Sequence, residues 1–168
     1  MKTIFLIGFM GSGKSTAGRL LGNTLELPLI DMDEEIVREE GMSINQLFEE
    51  QGEEYFRELE TGLLQRIPDN GWIVSTGGGV ILREENRTIM MKKGIVIYLE
   101  ATAGELLVRL KEDTSRPLLA ENKEKEITDR LGQRLEIYRN AADFTILTDA
   151  KSPEKIVGEI LACLKDAL

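Results

Sequence analysis

The residues Gly8-Phe9-Met10-Gly11-Ser12-Gly13-Lys14-Ser15 follow the pattern G-x-x-x-x-G-K-[ST]. Glycines at these points let the backbone bend so that successive N–H groups converge, forming an anion cradle at the start of a helix. The chemistry this suits is the holding of a nucleotide's phosphates. Gly11, Ser12, Gly13, Lys14, Ser15 and Thr16 would form the cradle, with Lys14 reaching the β- and γ-phosphates and the Ser15 hydroxyl ligating Mg²⁺. The motif needs a strand before it and a helix after it. Thr3–Ile7 supplies the first and residues 17–25 the second, which a merely flexible glycine turn would not require.

Acidic and basic candidates follow. Asp31-x-Asp33 comes after the second apolar run, at the carboxyl end of a strand, where open α/β sheets bind ligands. One carboxylate would serve Mg²⁺ through water, while the other accepts a proton from, or orients, an attacking hydroxyl. The plainer alternative is that Asp31 or Asp33 caps the next helix, with Glu34 completing a capping box. Gly77-Gly78-Gly79 ends a further apolar run, and bare backbone there can approach an anion that a side chain would keep away. Arg57 and Arg134 are candidates for gripping the planar carboxylate of an acidic acceptor. Arg57 has Glu53 and Glu60 at helical spacing, so a surface ion pair is the competing reading. Arg134 shares a helix face with Arg130, a like-charge cost that a bound anion would offset.

A phosphate cradle on a small domain serves either a regulatory switch or a small-molecule kinase. A guanine-specific switch usually carries Asn-Lys-x-Asp. Here Asn122-Lys123-Glu124 is followed by Lys125 and lies in a polar loop. Nor does the run ending in Thr76 close on a magnesium-binding aspartate; it enters the three glycines instead. The residues favour transfer over switching.

Composition narrows the choices further. The chain has 168 residues, 21 basic and 30 acidic side chains, no histidine and a net charge of -9. That acidity opposes a nucleic-acid footprint, which needs clustered Lys and Arg. The lack of histidine removes a His triad, a His-ligated zinc and a His base, so acid–base work falls to carboxylates or lysines. The one cysteine, Cys163, allows no internal disulfide and suits a reducing compartment. The N-terminal apolar stretch is brief and lacks a signal-cleavage pattern, and no run approaches the roughly 18 residues of a membrane span. The expectation is a cytoplasmic monomer with no membrane or nucleic-acid partner.

The elements that must position these residues alternate in type. Runs at Thr3–Ile7, 29–30, 72–75, 95–99 and Phe144–Leu147 read as strands buried on both faces. Helical spacing joins Ala17, Leu20, Leu21 and Leu25; Phe56, Leu59 and Leu63; Ile127, Leu131, Leu135 and Tyr138; and Ile156, Ile160 and Leu164. Ser43-Ile44-Asn45-Gln46 is a capping-box start. Such alternation predicts one α/β domain, a three-layer arrangement with a parallel sheet covered on both faces. The polar stretch 111–125 is of the kind that forms a lid.

The cradle motif, Asp31-x-Asp33, Phe56-Arg57-x-x-Glu60, Thr76-Gly77-Gly78-Gly79 and Arg116-Pro117-Leu118-Leu119 run in this order along essentially the whole chain, and together they resemble the shikimate kinase family. The resemblance implies ATP-dependent phosphorylation of the 3-hydroxyl of shikimate, toward chorismate and the aromatic amino acids. It also implies a five-stranded parallel sheet in the order 2-3-1-4-5, a lid near 111–125 and an acceptor-binding helical region near 33–62. Asp33 would hold the shikimate hydroxyls and act as base or positioner. Arg57, Arg134 and the Gly79 backbone would bind the carboxylate side, and Ser15 and Asp31 would serve Mg²⁺. Arg116 would reach the phosphates from the lid, while Arg109 and Pro153 would flank adenine. Two departures stand out. Met32 replaces the usual Ser or Thr, and no Pro follows Arg134, so Arg130 or Arg139 could take that arginine's role. A gluconate-type sugar-acid kinase is the nearest alternative and is expected to lack the Phe56-Arg57 plus triple-glycine combination.

Overall fold

The computed structural model describes residues 1–111 and 123–167. Strands β1 (Thr3–Ile7), β2 (Leu29–Asp31), β3 (Ile73–Ser75), β4 (Gly94–Glu100) and β5 (Phe144–Leu147) form a sheet among these residues, in the order β2-β3-β1-β4-β5. Every pairing is parallel, with Phe5 opposite both Val74 and Val96. The helices are α1 (Lys14–Leu25), α2 (Met32–Glu40), α3 (Ile44–Gln51), α4 (Glu53–Arg66), α5 (Glu84–Lys93), α6 (Ala103–Leu110), α7 (Lys123–Ala141) and α8 (Pro153–Ala167).

Alternation along β1 builds both layers of core. Phe5 and Ile7 face one side with Val74, Val96 and Tyr98, against α4, α6 and α7. Ile4 and Leu6 face the other with Ile73 and Ile97, against Ala17 and Leu21 of α1 and Ile156 and Ile160 of α8. Because parallel strands must cross back over the sheet, the carboxyl ends of these strands all lie on the same rim.

Burial on both faces, expected for all five strands, holds for the three central ones. β2 is half-buried throughout, and β5 exposes Thr145 and Leu147. Both are edge strands, with a neighbour on one side alone. The Ser43 capping box forms in full: Ser43 Oγ accepts from Gln46 N at 3.2 Å and Gln46 Oε1 accepts from Ser43 N at 2.9 Å. Lys123-Glu124-Lys125, at the upper edge of the stretch expected to be a lid, are helical in α7. Arg116-Pro117-Leu118-Leu119 lie outside the described residues.

Candidate active site

The cradle connects β1 to α1 at the rim. Gly11 and Gly13 take φ of 81° and 97°, left-handed values that strain other residues. Gly13 caps α1 without a side-chain hydrogen bond, and no acidic residue stands in the first turn, so the leading N–H groups remain available to an anion. Lys14 folds over the loop, donating from Nζ to Gly8 O at 2.6 Å and to Phe9 O at 3.0 Å.

Ser15 Oγ donates to Asp31 Oδ2 at 2.6 Å and lies 3.3 Å from Ser75 Oγ. Asp31 Oδ1 also accepts from Glu34 N at 3.2 Å. Asp31 therefore caps α2 and also accepts from the Ser15 hydroxyl beside the cradle. Glu34 makes no reciprocal bond; its side chain pairs with Arg19, so the capping box expected there is incomplete.

A cavity of about 670 Å³ extends from the cradle past Thr16 to Arg109, Lys151 and Pro153. Arg109 crosses its wall, donating from Nε to Glu105 at 3.1 Å, from Nη1 to Gly11 O at 3.3 Å and from Nη2 to Thr148 O at 3.2 Å. A second cavity, of about 530 Å³, lies between α3, α4, α7 and the triple glycine. Arg57, Glu60, Arg130 and Arg134 line it, with Ile44, Phe48 and Phe56 supplying an apolar wall. The two cavities share Met10, Asp33 and Gly78. They meet at Asp33.

Arg57 Nη1 donates to Glu60 Oε1 at 2.6 Å, and Nη2 reaches the exposed Glu53 at 3.3 Å. The surface pair considered from spacing is thus half right: Arg57 is 12% exposed but Glu60 is 0% exposed. Burial raises the Glu60 carboxyl above its ordinary value, and the Arg57 charge pulls part of the way back. Glu60 fits because residue 77 is glycine, where a Cβ would lie 2.6 Å from Glu60 Oε2 and 3.1 Å from Asp33 Oδ1. A Cβ on Gly79 would lie 2.4 Å from Arg57 Nη2. Arg134 donates from Nη1 to Gly78 O at 3.3 Å and stands 5.7 Å above the Phe9 ring.

The structure thus gathers the sequence candidates into two sets. Gly11 to Thr16, Asp31, Arg109 and Pro153 border the first cavity, and Arg57, Gly79 and Arg134 the second, with Asp33 in both. Of the substitutes for Arg134, Arg130 borders the second cavity. Arg139 does not, because it pairs with Glu100 at 2.7 Å on the exposed side of α7. Sequence reasoning gave Glu60 no more than a surface ion pair with Arg57, and gave Ser75 and Lys151 no role. The i,i+3 spacing from Arg57 was the signal for Glu60; Ser75 and Lys151 offered none beyond lying at a strand end and a helix start.

Comparison with known proteins adds the decisive observation. A model of the family described as shikimate kinase matches residues 10–165. The chain belongs to the shikimate kinase family. A shikimate kinase of Enterococcus faecalis is 45% identical over 168 residues, covering 99% of this chain and 100% of that protein. The solved shikimate kinase of Acinetobacter baumannii in complex with shikimate superposes with a TM-score of 0.95 at 36% identity, covering 99% of this chain and 94% of that one. A gluconokinase of Sinorhizobium meliloti shares the fold, with a TM-score of 0.62 at 18% identity over 99% of this chain and 93% of that one.

Proposed function

We propose that this chain transfers the γ-phosphoryl group of ATP to the 3-hydroxyl of shikimate, giving shikimate 3-phosphate and ADP on the route to chorismate and the aromatic amino acids. The observation that carries the reading is the junction: a phosphate cradle and an arginine-lined cavity share one wall, at Met10, Asp33 and Gly78. Phosphoryl transfer needs donor and acceptor in line with little covalent chemistry from the protein, so positioning is the main task.

The backbone N–H groups of Gly11 to Thr16 hold the phosphates, and Lys14 exchanges its carbonyl partners for phosphate oxygens. Arg109 and Pro153 flank the adenine. Arg57, Arg134 and the Gly79 N–H hold the shikimate carboxylate side, a forked arrangement suited to a planar anion. Asp33 orients the 3-hydroxyl and accepts its proton as the new O–P bond forms and the bond to the β-phosphate oxygen breaks. Arg116, outside the described residues, has by family resemblance the task of meeting the phosphates with its positive charge.

Mg²⁺ fits the oxygen donors at Ser15 and Asp31. The Ser15 hydroxyl donates its hydrogen bond to Asp31 Oδ2 at 2.6 Å, which leaves its lone pairs for a cation. Among the described residues no cluster of three or more Asp, Glu, His or Cys side chains is built for a metal. This suits an ion that keeps waters and takes substrate phosphates as ligands. When bound, it neutralises charge developing on the phosphates.

Both cavities lie within one chain, so a monomer suffices, and its place of work is the cytoplasm. Among the described residues no helix is long and apolar enough to cross a membrane. The test is release of ADP measured in parallel with shikimate, gluconate and nucleoside monophosphates. Turnover with shikimate is expected. Turnover with gluconate and none with shikimate would overturn the reading.

A further inference from the structure

Two side chains of α7 meet on one carbonyl. The Tyr138 hydroxyl donates to Gly78 O at 2.5 Å, and Arg134 Nη1 donates to the same oxygen at 3.3 Å. Residues at i and i+4 lie one above the other on a helix, so both reach the triple glycine from the same face. Tyr138 is fully buried and stacks on Tyr98 of β4, with ring centres 4.9 Å apart and an interplanar angle of 13°. Burial pushes its hydroxyl up to about 12, so it keeps its proton and stays a donor at neutral pH.

The peptide joining Gly78 to Gly79 is trans, so its carbonyl and its N–H are the opposed ends of one rigid plane. Fixing the oxygen fixes the direction of the N–H. Three successive glycines give the turn little steric restraint of their own; Val80 N and Leu82 N hold Gly77 O and Gly79 O at 3.2 and 3.1 Å, and Gly78 O is held by donors from α7. Gly79 borders the acceptor cavity, whereas Tyr138 borders neither cavity among the described residues.

We propose that Tyr138 is a positioning residue for the acceptor: its hydroxyl clamps Gly78 O, and through that plane aims the Gly79 N–H and seats Arg134. It acts on shikimate solely through these two groups. The inference rests on the reading of Gly79 and Arg134 as acceptor ligands.

Tyr98 provides an internal control. It is equally buried and belongs to the same stack, yet its hydroxyl has no hydrogen-bond partner among the described residues. Tyr138→Phe and Tyr98→Phe each remove one oxygen from the same pair of rings, and Gly78 loses a donor in the first alone. Titration with shikimate and with ATP, and KM for each, are then compared. Tyr138→Phe should raise Kd and KM for shikimate about five- to tenfold, the equivalent of one hydrogen bond, with the ATP values moving less than about twofold. Tyr98→Phe should leave both ligands' values unchanged. The Gly79 amide resonance should move in the first variant and stay in the second.

An unchanged shikimate affinity in folded Tyr138→Phe overturns the proposal. So does an equal loss in both variants, or an equal loss for ATP, since each marks a structural role. The wild type gives an independent reading: the Tyr138 hydroxyl proton should exchange slowly and shift when shikimate is added, and a fast-exchanging, unresponsive proton counts against the clamp. A wild-type enzyme without activity on shikimate sinks the underlying functional reading, a result distinct from an active enzyme indifferent to Tyr138→Phe.

Discussion

Replacing Arg57 with alanine separates acceptor binding from the stability of the apolar core beneath it. In the wild type the guanidinium does two things: it borders the acceptor cavity and it holds the buried Glu60 carboxylate at 2.6 Å. Hydrogen bonds to charged groups contribute roughly 1.5–3 kcal/mol, so losing the grip on a carboxylate ligand at about 2–3 kcal/mol weakens shikimate binding about 30- to 150-fold. ATP binding stays unchanged, because Arg57 does not border the cradle cavity.

The same change strands Glu60, which is 0% exposed. Removing one member of a buried ion pair costs about 3–5 kcal/mol, and the low end applies here because Glu60 can escape by taking up a proton. Its carboxyl, already raised from 4.5 by burial, rises further once the Arg57 charge is gone. A carboxyl whose folded pKa exceeds its unfolded one binds more protons when folded, so stability declines as pH climbs from 4.5 through the raised value. Arg57→Ala should therefore melt at a higher temperature in mildly acidic than in mildly alkaline buffer. The double variant Arg57→Ala, Glu60→Gln should recover most of the melting temperature at neutral pH and none of the shikimate affinity. Calorimetric titration with each ligand and thermal unfolding at several pH values make the comparison. An equal fall in ATP affinity, or recovery of shikimate affinity in the double variant, would refute the reasoning.

Lys14→Met should lower turnover at least about a hundredfold, the scale seen for loss of one preorganised charge-stabilising donor, while circular dichroism and melting stay near wild type. Asp33→Asn should cut kcat in a way that saturating shikimate does not restore, since the amide keeps the shape of the carboxylate but not its charge; steady-state kinetics across a wide shikimate range decide this. Gly79→Ala should raise KM for shikimate with KM for ATP unchanged, because the new methyl would sit 2.4 Å from Arg57 Nη2 and displace the guanidinium.

What the sequence revealed, and what it hid, follows from the physics of each element. The cradle was legible because its glycines and lysine have fixed tasks at fixed spacing. The central strands were legible as β-branched apolar runs. Strand order came from family resemblance, since periodicity does not say which strands are neighbours. Helix α5 left no amphipathic trace: Asn86 is buried on it, its amide engaged by Thr61 and Val80 O, while the apolar Met91 is exposed. Helical spacing put Arg57 with both Glu53 and Glu60, but which carboxylate goes inward depends on a missing side chain on another element, Gly77. Likewise Arg130 and Arg139 flank Arg134 in sequence, and the choice between them waited on Glu100 at the end of β4 drawing Arg139 away.

Part of the second cavity, the proposed acceptor site, is walled by naked main chain at Gly77, Gly78 and Gly79. Mutation rewrites side groups and leaves amides in place, proline excepted. An inhibitor anchored on those amides would thus leave the enzyme few single-codon escapes. Resistance would fall instead to side chains lining the same cavity, Arg57 and Arg134 among them, which on the proposed function also hold the natural acceptor.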